Sequence, residues 1–477
     1  MLMPLAKLIL ILLLVGILSI INGCVSGPDY KEPETNVAKD FTVEPADPFV
    51  SAKPEIEWWK NLNDAILDDL VKQSIEKNHD LRIAQANVKA ARAYLQVGEY
   101  DKYPVVTSAG SINREKISTA NFGSTSLVPQ YRTLYDAALD ATWELDFFGR
   151  VKRSVEALTA DYEAANADQH AVFVTVTAEV ARTYMDLRGA QERLRVAEEN
   201  ANNQRDTYDL TRSVTEGGMG TNLDVARAQA QLESTLATIP ALNTEIKQAI
   251  HRLSVLVGEE PRTLLALLSG PSALPDIPGQ IKIGNPAELL RRRPDIKSAE
   301  RQLAAATARI GVATADLFPR VSLNGSIGYL APSFSGLGEH NFRTASLGPF
   351  LTWPAFDLGR VRARIRAADA SAEGLLATYE KTVLTALEET EDALVSFVSS
   401  QQRQAHLEIA AQASARAVDL ARERYSNGID SFLNVLDAQR QLLLIQEQLA
   451  QSKTSTGLAL IAIYKALGGG WQNAVTN

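Results

Sequence analysis

One cysteine and five histidines among 477 residues leave too little material for a multi-ligand metal centre or a thiol redox pair. There is no Gly-rich phosphate loop, no spaced His/Cys set and no Ser elbow, so an enzyme lacks its parts and no cofactor is implied. Basic residues are also short: 48 Lys and Arg face 57 Asp and Glu, for a net charge of −9. A protein that grips nucleic acid through its phosphates shows the opposite balance. Aromatic residues are only 6% of the chain, while Ala is abundant. Thin, closely packed helices fit that composition better than a bulky core.

Long hydrophobic runs are absent with one exception. Leu8 to Ile21 is apolar apart from Gly16 and Ser19 and follows Lys7. A transmembrane helix needs ~20 apolar residues, so this run reads as an export signal over 1–23. It ends at Ile21-Asn22-Gly23-Cys24, and the single cysteine stands where a signal peptide would end. The arrangement resembles a bacterial lipoprotein signal. That resemblance implies a Cys24 carrying S-diacylglycerol and an N-acyl chain as the new first residue. Val25 replaces the Asp that marks inner-membrane retention, which directs the expectation to the outer membrane.

What the chain has instead is repetition. Asp209-Leu210, Arg212, Gly218, Leu223, Val225 and Ala228-Gln229 recur as Asp419-Leu420, Arg422, Gly428, Leu433, Val435 and Ala438-Gln439, offset by 210. Trp143 and Gly149-Arg150-Val151 recur in that register as Trp353 and Gly359-Arg360-Val361. Upstream, Asp80, Ala84, Ala90-Ala91 and Pro104 recur as Asp295, Ala299, Ala305-Ala306 and Pro319, offset by 215. The slip of five between Pro104 and Trp143 belongs in a loop. A duplication points to a symmetric object. The expected organisation is an extended arm over 24–60, repeat one over 61–261, a linker over 262–285, repeat two over 286–467 and a tail over 468–477. Repeat one should carry a β-hairpin at 104–147 and long helices at 150–257. Repeat two should carry a β-hairpin at 319–357 and helices at 360–467.

From Tyr135 to Asp146 the odd positions are apolar, while the even positions include Asp136, Asp140, Glu144 and Asp146. That is the period of a strand with one acidic face. Val321 to Tyr329 alternates likewise. Each strand is ~10 residues, the length of a tilted membrane-spanning strand. Four strands cannot close a barrel, since membrane barrels start at about eight, and an open edge in lipid is not tolerated. If these strands cross a membrane, several chains must share one barrel. Val151–Val214 and Val361–Arg424 lack Pro, and at ~1.5 Å per residue each could run roughly 95 Å. Gly218 and Gly428 sit where the chain must reverse between long helices.

With these features the chain resembles the TolC-like outer-membrane factors, in particular the NodT-like lipoprotein branch that serves tripartite efflux systems. The match is carried by Cys24 with Gly27-Pro28-Asp29-Tyr30 and Pro33, then Trp58-Trp59, Asp64 and Leu67. It continues through Arg292-Arg293-Pro294-Asp295-Ile296, Leu317-Phe318-Pro319, Trp353 to Arg360, and Tyr425-Ser426-Asn427-Gly428 to Gln439. The resemblance implies an α+β membrane protein: a homotrimer with a 12-stranded barrel, four strands per chain, continued into a long periplasmic α-helical barrel. It implies a passive outer-membrane exit duct for drugs or other small solutes in a Gram-negative bacterium. The implied partners are a periplasmic membrane-fusion adaptor, an inner-membrane RND-type pump and outer-membrane lipid. It also implies a gate at the helical tip, with Asp224, Tyr425, Asp430, Asn434 and Asp437 at or near the pore, and a barrel lumen lined by Asp136, Asp140, Glu144 and Asp146. Asn434 stands where some relatives carry Asp, and Asp430 where some carry a basic latch residue. Two alternatives are a duct for type I protein secretion and a structural coiled-coil envelope lipoprotein; a stalk would not need four strands of that length.

Overall fold

The computed structural model describes residues 25–35, 37–42, 47–116 and 131–472. Cys24 and the signal segment lie outside these residues. The chain divides into two compact units, and each draws on both repeats: one comprises the segment ending at Glu34, Asn87–Asn166 and Ser298–Glu380, the other Thr35–Ala86, Ala167–Lys297 and Lys381–Asn477.

The first unit holds a four-stranded antiparallel sheet. Its strands are β2 (Val105–Lys116), β3 (Tyr131–Leu145), β5 (Arg320–Ala331) and β6 (Arg343–Thr352), in the order β2-β3-β5-β6. The two hairpins therefore join through β3 and β5, one from each repeat. β2 shifted by 215 positions lands on β5, so the register slip falls after Lys116. Pairing is fixed by rows such as Ser108–Leu139–Ile327–Ala345 and Thr107–Asp140–Ser326–Ser346. Side chains alternate between faces, so the first row marks an apolar face and the second a polar one. Pro349 sits inside β6, a strand at the sheet edge, where a missing N–H is tolerated. One contact is duplicated: the indole N–H of Trp143 donates to the Lys102 carbonyl at 3.0 Å, and that of Trp353 to the Leu317 carbonyl at 3.0 Å.

The arm enters this unit from its start. Ser26 N–H donates to the Phe148 carbonyl at 3.1 Å. Buried Arg153 donates to Asp29 Oδ1 at 2.6 Å and to the Ser26 carbonyl at 3.1 Å. Tyr30 donates its hydroxyl to Glu300 at 2.5 Å, and burial together with this carboxylate pushes the phenol upward from its ordinary value.

The second unit contains the main core, in which Trp58, Leu67, Tyr184, Ile250, Phe397 and Leu460 are almost wholly buried. Helix α1 (Ala65–Lys77) follows a 3-10 turn (Trp58–Leu62) and precedes α2 (His79–Tyr100). Asp64 caps α1 through Oδ1, 2.9 Å from Ile66 N and 3.1 Å from Leu67 N, and its Oδ2 accepts from Tyr184 at 2.7 Å. A cap of this kind stabilises by about 1 kcal/mol. The arm and the linker also meet: β1 (Phe49–Val50) pairs in parallel with β4 (Ile281–Lys282).

The long helices differ between repeats. Repeat one has α3 (Arg150–Glu216), a turn, then α4 (Asn222–Leu236) and α5 (Ile239–Leu256), with Pro240 in the first turn of α5. After the short α6 (Leu265–Leu268), α7 (Pro286–Arg292) and α8 (Pro294–Ala315), repeat two has α9 (Leu358–Ser426) and an unbroken α10 (Phe432–Ala466). The expectation of one long helix after each turn therefore holds in repeat two only. Proline removes an amide and clashes with the preceding turn, and Ala450 stands at the corresponding place in repeat two. Close approach is secured by small residues. A Cβ on Gly189 would lie 2.3 Å from the Thr454 hydroxyl, and one on Gly457 2.5 Å from Met185.

Candidate functional site: an unpartnered sheet and two helical turns

The apolar sheet face carries Leu139, Trp143, Ile327, Leu347 and Leu351, with Ile327 64% and Leu347 78% exposed. Isolated surface hydrophobes are ordinary, but a continuous face of them marks contact with a partner or a membrane. Among the described residues no helix is long and apolar enough to cross a membrane. At the end of the sheet nearest α3 and α9 stand exposed Tyr103, Trp143, Trp353 and Phe356. Aromatic belts of this kind form where apolar surface meets the lipid headgroup level.

The four strand acids behave differently. Asp136 and Asp140 lie on the polar face, in rows with Ser111 and with Thr107 and Ser326. Glu144 shares that face but is bound in a fork to Arg150, at 2.7 Å to Nε and 2.6 Å to Nη2. Asp146 lies beyond the last residue of β3. Its carboxylate accepts from Val151 N at 3.0 Å and Lys152 N at 2.8 Å, capping α3. The alternating pattern runs on past the strand, so sequence alone assigns Asp146 to a face it does not occupy.

The two helical turns share one construction. Met219 N donates to the Val214 carbonyl at 3.1 Å, and Ile429 N to the Arg424 carbonyl at 2.9 Å. Gly218 N donates to Thr215 at 3.0 Å, and Gly428 N to Tyr425 at 2.9 Å. This is the Schellman arrangement, which requires positive φ at the turn residue. Gly218 has φ +82° and Gly428 +69°, and nothing lies near a Cβ built on either.

Around the same turns the repeats diverge. In repeat one, Thr221 caps α4 by accepting from Asp224 N at 3.2 Å, and its hydroxyl donates to Asp224 Oδ2 at 2.7 Å. Arg227 lies 3.7 Å from Asp224. In repeat two, Asp430 sits at the centre. Its Oδ2 accepts from Arg424 Nε at 3.0 Å, and its Oδ1 from Asn434 at 2.6 Å and from Ser431 N at 3.2 Å. The Arg424 hydrogen bond, helped by Asn434 and the Ser431 amide, holds the Asp430 carboxyl below the usual carboxylate range. Gly220 occupies the equivalent place in repeat one, where a Cβ would lie 2.4 Å from the Thr215 hydroxyl. Tyr425 replaces Thr215. It turns toward Phe432, ring centroids 5.6 Å apart, over a small core of Ala228, Phe432, Val435 and Leu436. Burial raises its pKa, with Asp224 adding to the effect and Thr211 opposing it. Asp437 is exposed, and Arg227 stands at its place in repeat one. The turn thus gathers Asp430 with Asn434, and brings Tyr425 within the electrostatic reach of Asp224. Sequence reading missed Arg424, whose only clue was a basic residue in the last turn of a helix.

A strand pair and a helix-turn-helix pair in each repeat define the class of outer-membrane channel folds built from helices and a shared sheet. The chain belongs to the outer membrane efflux protein family, whose sequence profile matches residues 70–259 and 285–469. The two matches are displaced by 215 residues at their starts and 210 at their ends, the offsets of the internal repeat. Outer membrane protein OprJ of Pseudomonas aeruginosa is 32% identical over 453 residues, covering 94% of each chain. Nodulation protein T of Rhizobium leguminosarum bv. viciae is 31% identical over 459 residues, covering 95% of this chain and 92% of its own. The solved structure of the outer-membrane channel OprN superposes with a TM-score of 0.89 at 42% identity, covering 94% of this chain and all of that one (100%). The open-state MtrE channel of Neisseria gonorrhoeae gives a TM-score of 0.78 at 27% identity, covering 94% of this chain and 99% of that one.

Proposed function

We propose that the protein is the outer-membrane exit channel of a multi-part efflux pump, assembled as a homotrimer. One observation carries this reading: a sheet with an exposed apolar face whose margins, β2 and β6, pair with no further strand among the described residues. A spanning sheet in lipid must be closed, and four strands are too few, since about eight are the minimum. Three copies would give twelve strands. The polar face with Asp136 and Asp140 would line the lumen, and the helical turns would form a closable periplasmic tip, with Asp224, Tyr425, Asp430, Asn434 and Asp437 beside the opening. Rings of carboxylates at a constriction attract cations and repel anions. Solutes would pass without an energy source in this chain, so an adaptor and an inner-membrane pump must dock and drive it. The efflux pump names of relatives such as the toluene efflux pump protein TtgC of Pseudomonas putida support small solutes over secreted proteins as cargo. Cys24 would carry the lipid anchor. The arm supports this, because Ser26 is already tied to Phe148, just past the end of β3.

The test is the particle mass and conductance of the purified protein. Three chains per particle and ion-conducting events in a planar bilayer are expected; a monomer without conductance refutes the reading. Fatty-acid labelling should disappear in Cys24→Ser, and labelling that persists refutes the anchor.

A further inference from the structure

Beside the aromatic belt, a cleft of about 340 Å³ is lined by Asp316, Phe318, Arg320, Pro354, Arg360 and Arg364, among others. Its face is fixed by the register. Arg320 pairs with Thr352 and precedes Val321, so it projects on the polar face with Ser322 and Asn324, away from the apolar belt residues. Arg360 and Arg364 are one helical turn apart near the start of α9 and share a side.

Comparison with the other repeat shows how unusual this spot is. There, Arg150 is three-quarters buried and neutralised by the fork to Glu144. In repeat two, Pro354 stands in place of Glu144 and Phe356 in place of Asp146, while Arg320 replaces Val105 and Arg364 replaces Ser154. One change runs the other way, Asp357 for Phe147. Asp357 binds Arg360 at 2.7 Å, yet Arg360 remains 69% exposed. Arg320 is paired with Asp316. Arg364 is exposed and has no carboxylate partner among the described residues. Arg360 and Arg364 stand near the positive end of a 69-residue helix, where a cation is disfavoured and an anion favoured. Phe318, which stacks on Phe148 at 4.6 Å, and Pro354 supply an apolar wall beside the charge.

We propose that this cleft binds the oxyanion of amphiphilic solutes passing through the channel, with a carboxylate or sulfonate on Arg360 and Arg364 and the apolar part against Phe318 and Pro354. The inference rests on the polar face being the lumen, as in the channel reading. Guanidinium groups are well suited to such oxyanions because their donors are paired and planar. The same chemistry could come from a lipid headgroup phosphate, but the polar face favours a solute in transit.

Calorimetric titration of the detergent-purified protein with 2-naphthalenesulfonate tests the cleft independently of conduction. The native protein should bind it, and the affinity should fall about tenfold in the double variant Arg360→Gln/Arg364→Gln, as expected for losing roughly one good charge-assisted contact. The variant Arg362→Gln/Arg366→Gln, on another side of the helix, should bind as the native protein does. Equal losses in both variants would show a diffuse charge effect and overturn the proposal. So would binding of neutral 2-naphthol as tight as the sulfonate, or no binding at all. A fall in co-purified phospholipid phosphorus in the Arg360/Arg364 variant, with naphthalenesulfonate affinity unchanged, would assign the cleft to a headgroup instead. Absence of bilayer conductance with binding intact would strike the channel reading while leaving the oxyanion cleft standing.

Discussion

At the scale of single residues, the two turn glycines and Asp430 shape the helical turns. Gly428 has positive φ and open space around its Cα, so a methyl group would meet no neighbour and the cost is purely conformational. Gly428→Ala should destabilise by about 1 kcal/mol, read by denaturant unfolding; an unchanged midpoint would mean the turn relaxes to another geometry. In the proposed channel, Asp430→Asn should loosen the turn at its closed tip and raise conductance, because Arg424 loses its charged acceptor. The pH dependence has a definite sign. The folded-state carboxyl is held low, so its contribution is complete above the ordinary carboxylate range and is lost only as pH falls through the lowered value. Conductance should therefore stay flat from about pH 8 to 5 and rise only below roughly pH 4. A rise near neutrality would point to another group. The importance of Gly218 and Gly428 was legible in the sequence from their repetition. The Arg424–Asp430–Asn434 set was not, because its members lie on both sides of a reversal and belong to no helical or strand period.

At the scale of elements, periodicity was informative and its limits are specific. The alternation in β3 identified the strand and its polar face, but it could not tell that Asp146 had left the strand to cap α3 or that Glu144 was engaged by Arg150. Both follow from the chain turning into a helix, which changes the period from 2 to 3.6 without changing residue types. The break before α5 was carried by a single residue, Pro240. The arm at 25–35 lacks regular structure, so no period announces it; its place is set by Arg153. Removing this buried guanidinium deprives Asp29 and the Ser26 carbonyl of their donor. Arg153→Ala should make the arm cleavable by trypsin at Lys31 while the helical signal is retained. Persistent protection would show that Tyr30 and Glu300 suffice.

At the scale of the whole molecule, duplication was the clearest sequence signal, and the compact units show what it builds. Neither unit corresponds to one repeat; each is assembled from both, so neither repeat has a complete core of its own. The sheet shows the same interdependence, since its central pairing joins the repeats and, among the described residues, its outer strands β2 and β6 pair on their inner sides only. In the proposed trimer this has a genetic consequence. A chain with one damaged edge, for instance a proline where β2 points an N–H outward, would still offer its sound edge and be incorporated beside healthy copies. At equal expression with the native chain, random assembly leaves only roughly one particle in eight wholly native. Efflux in such a cell should fall well below half, and the damaged allele should behave as dominant; a fall to about half would mean that defective chains are excluded before the ring closes.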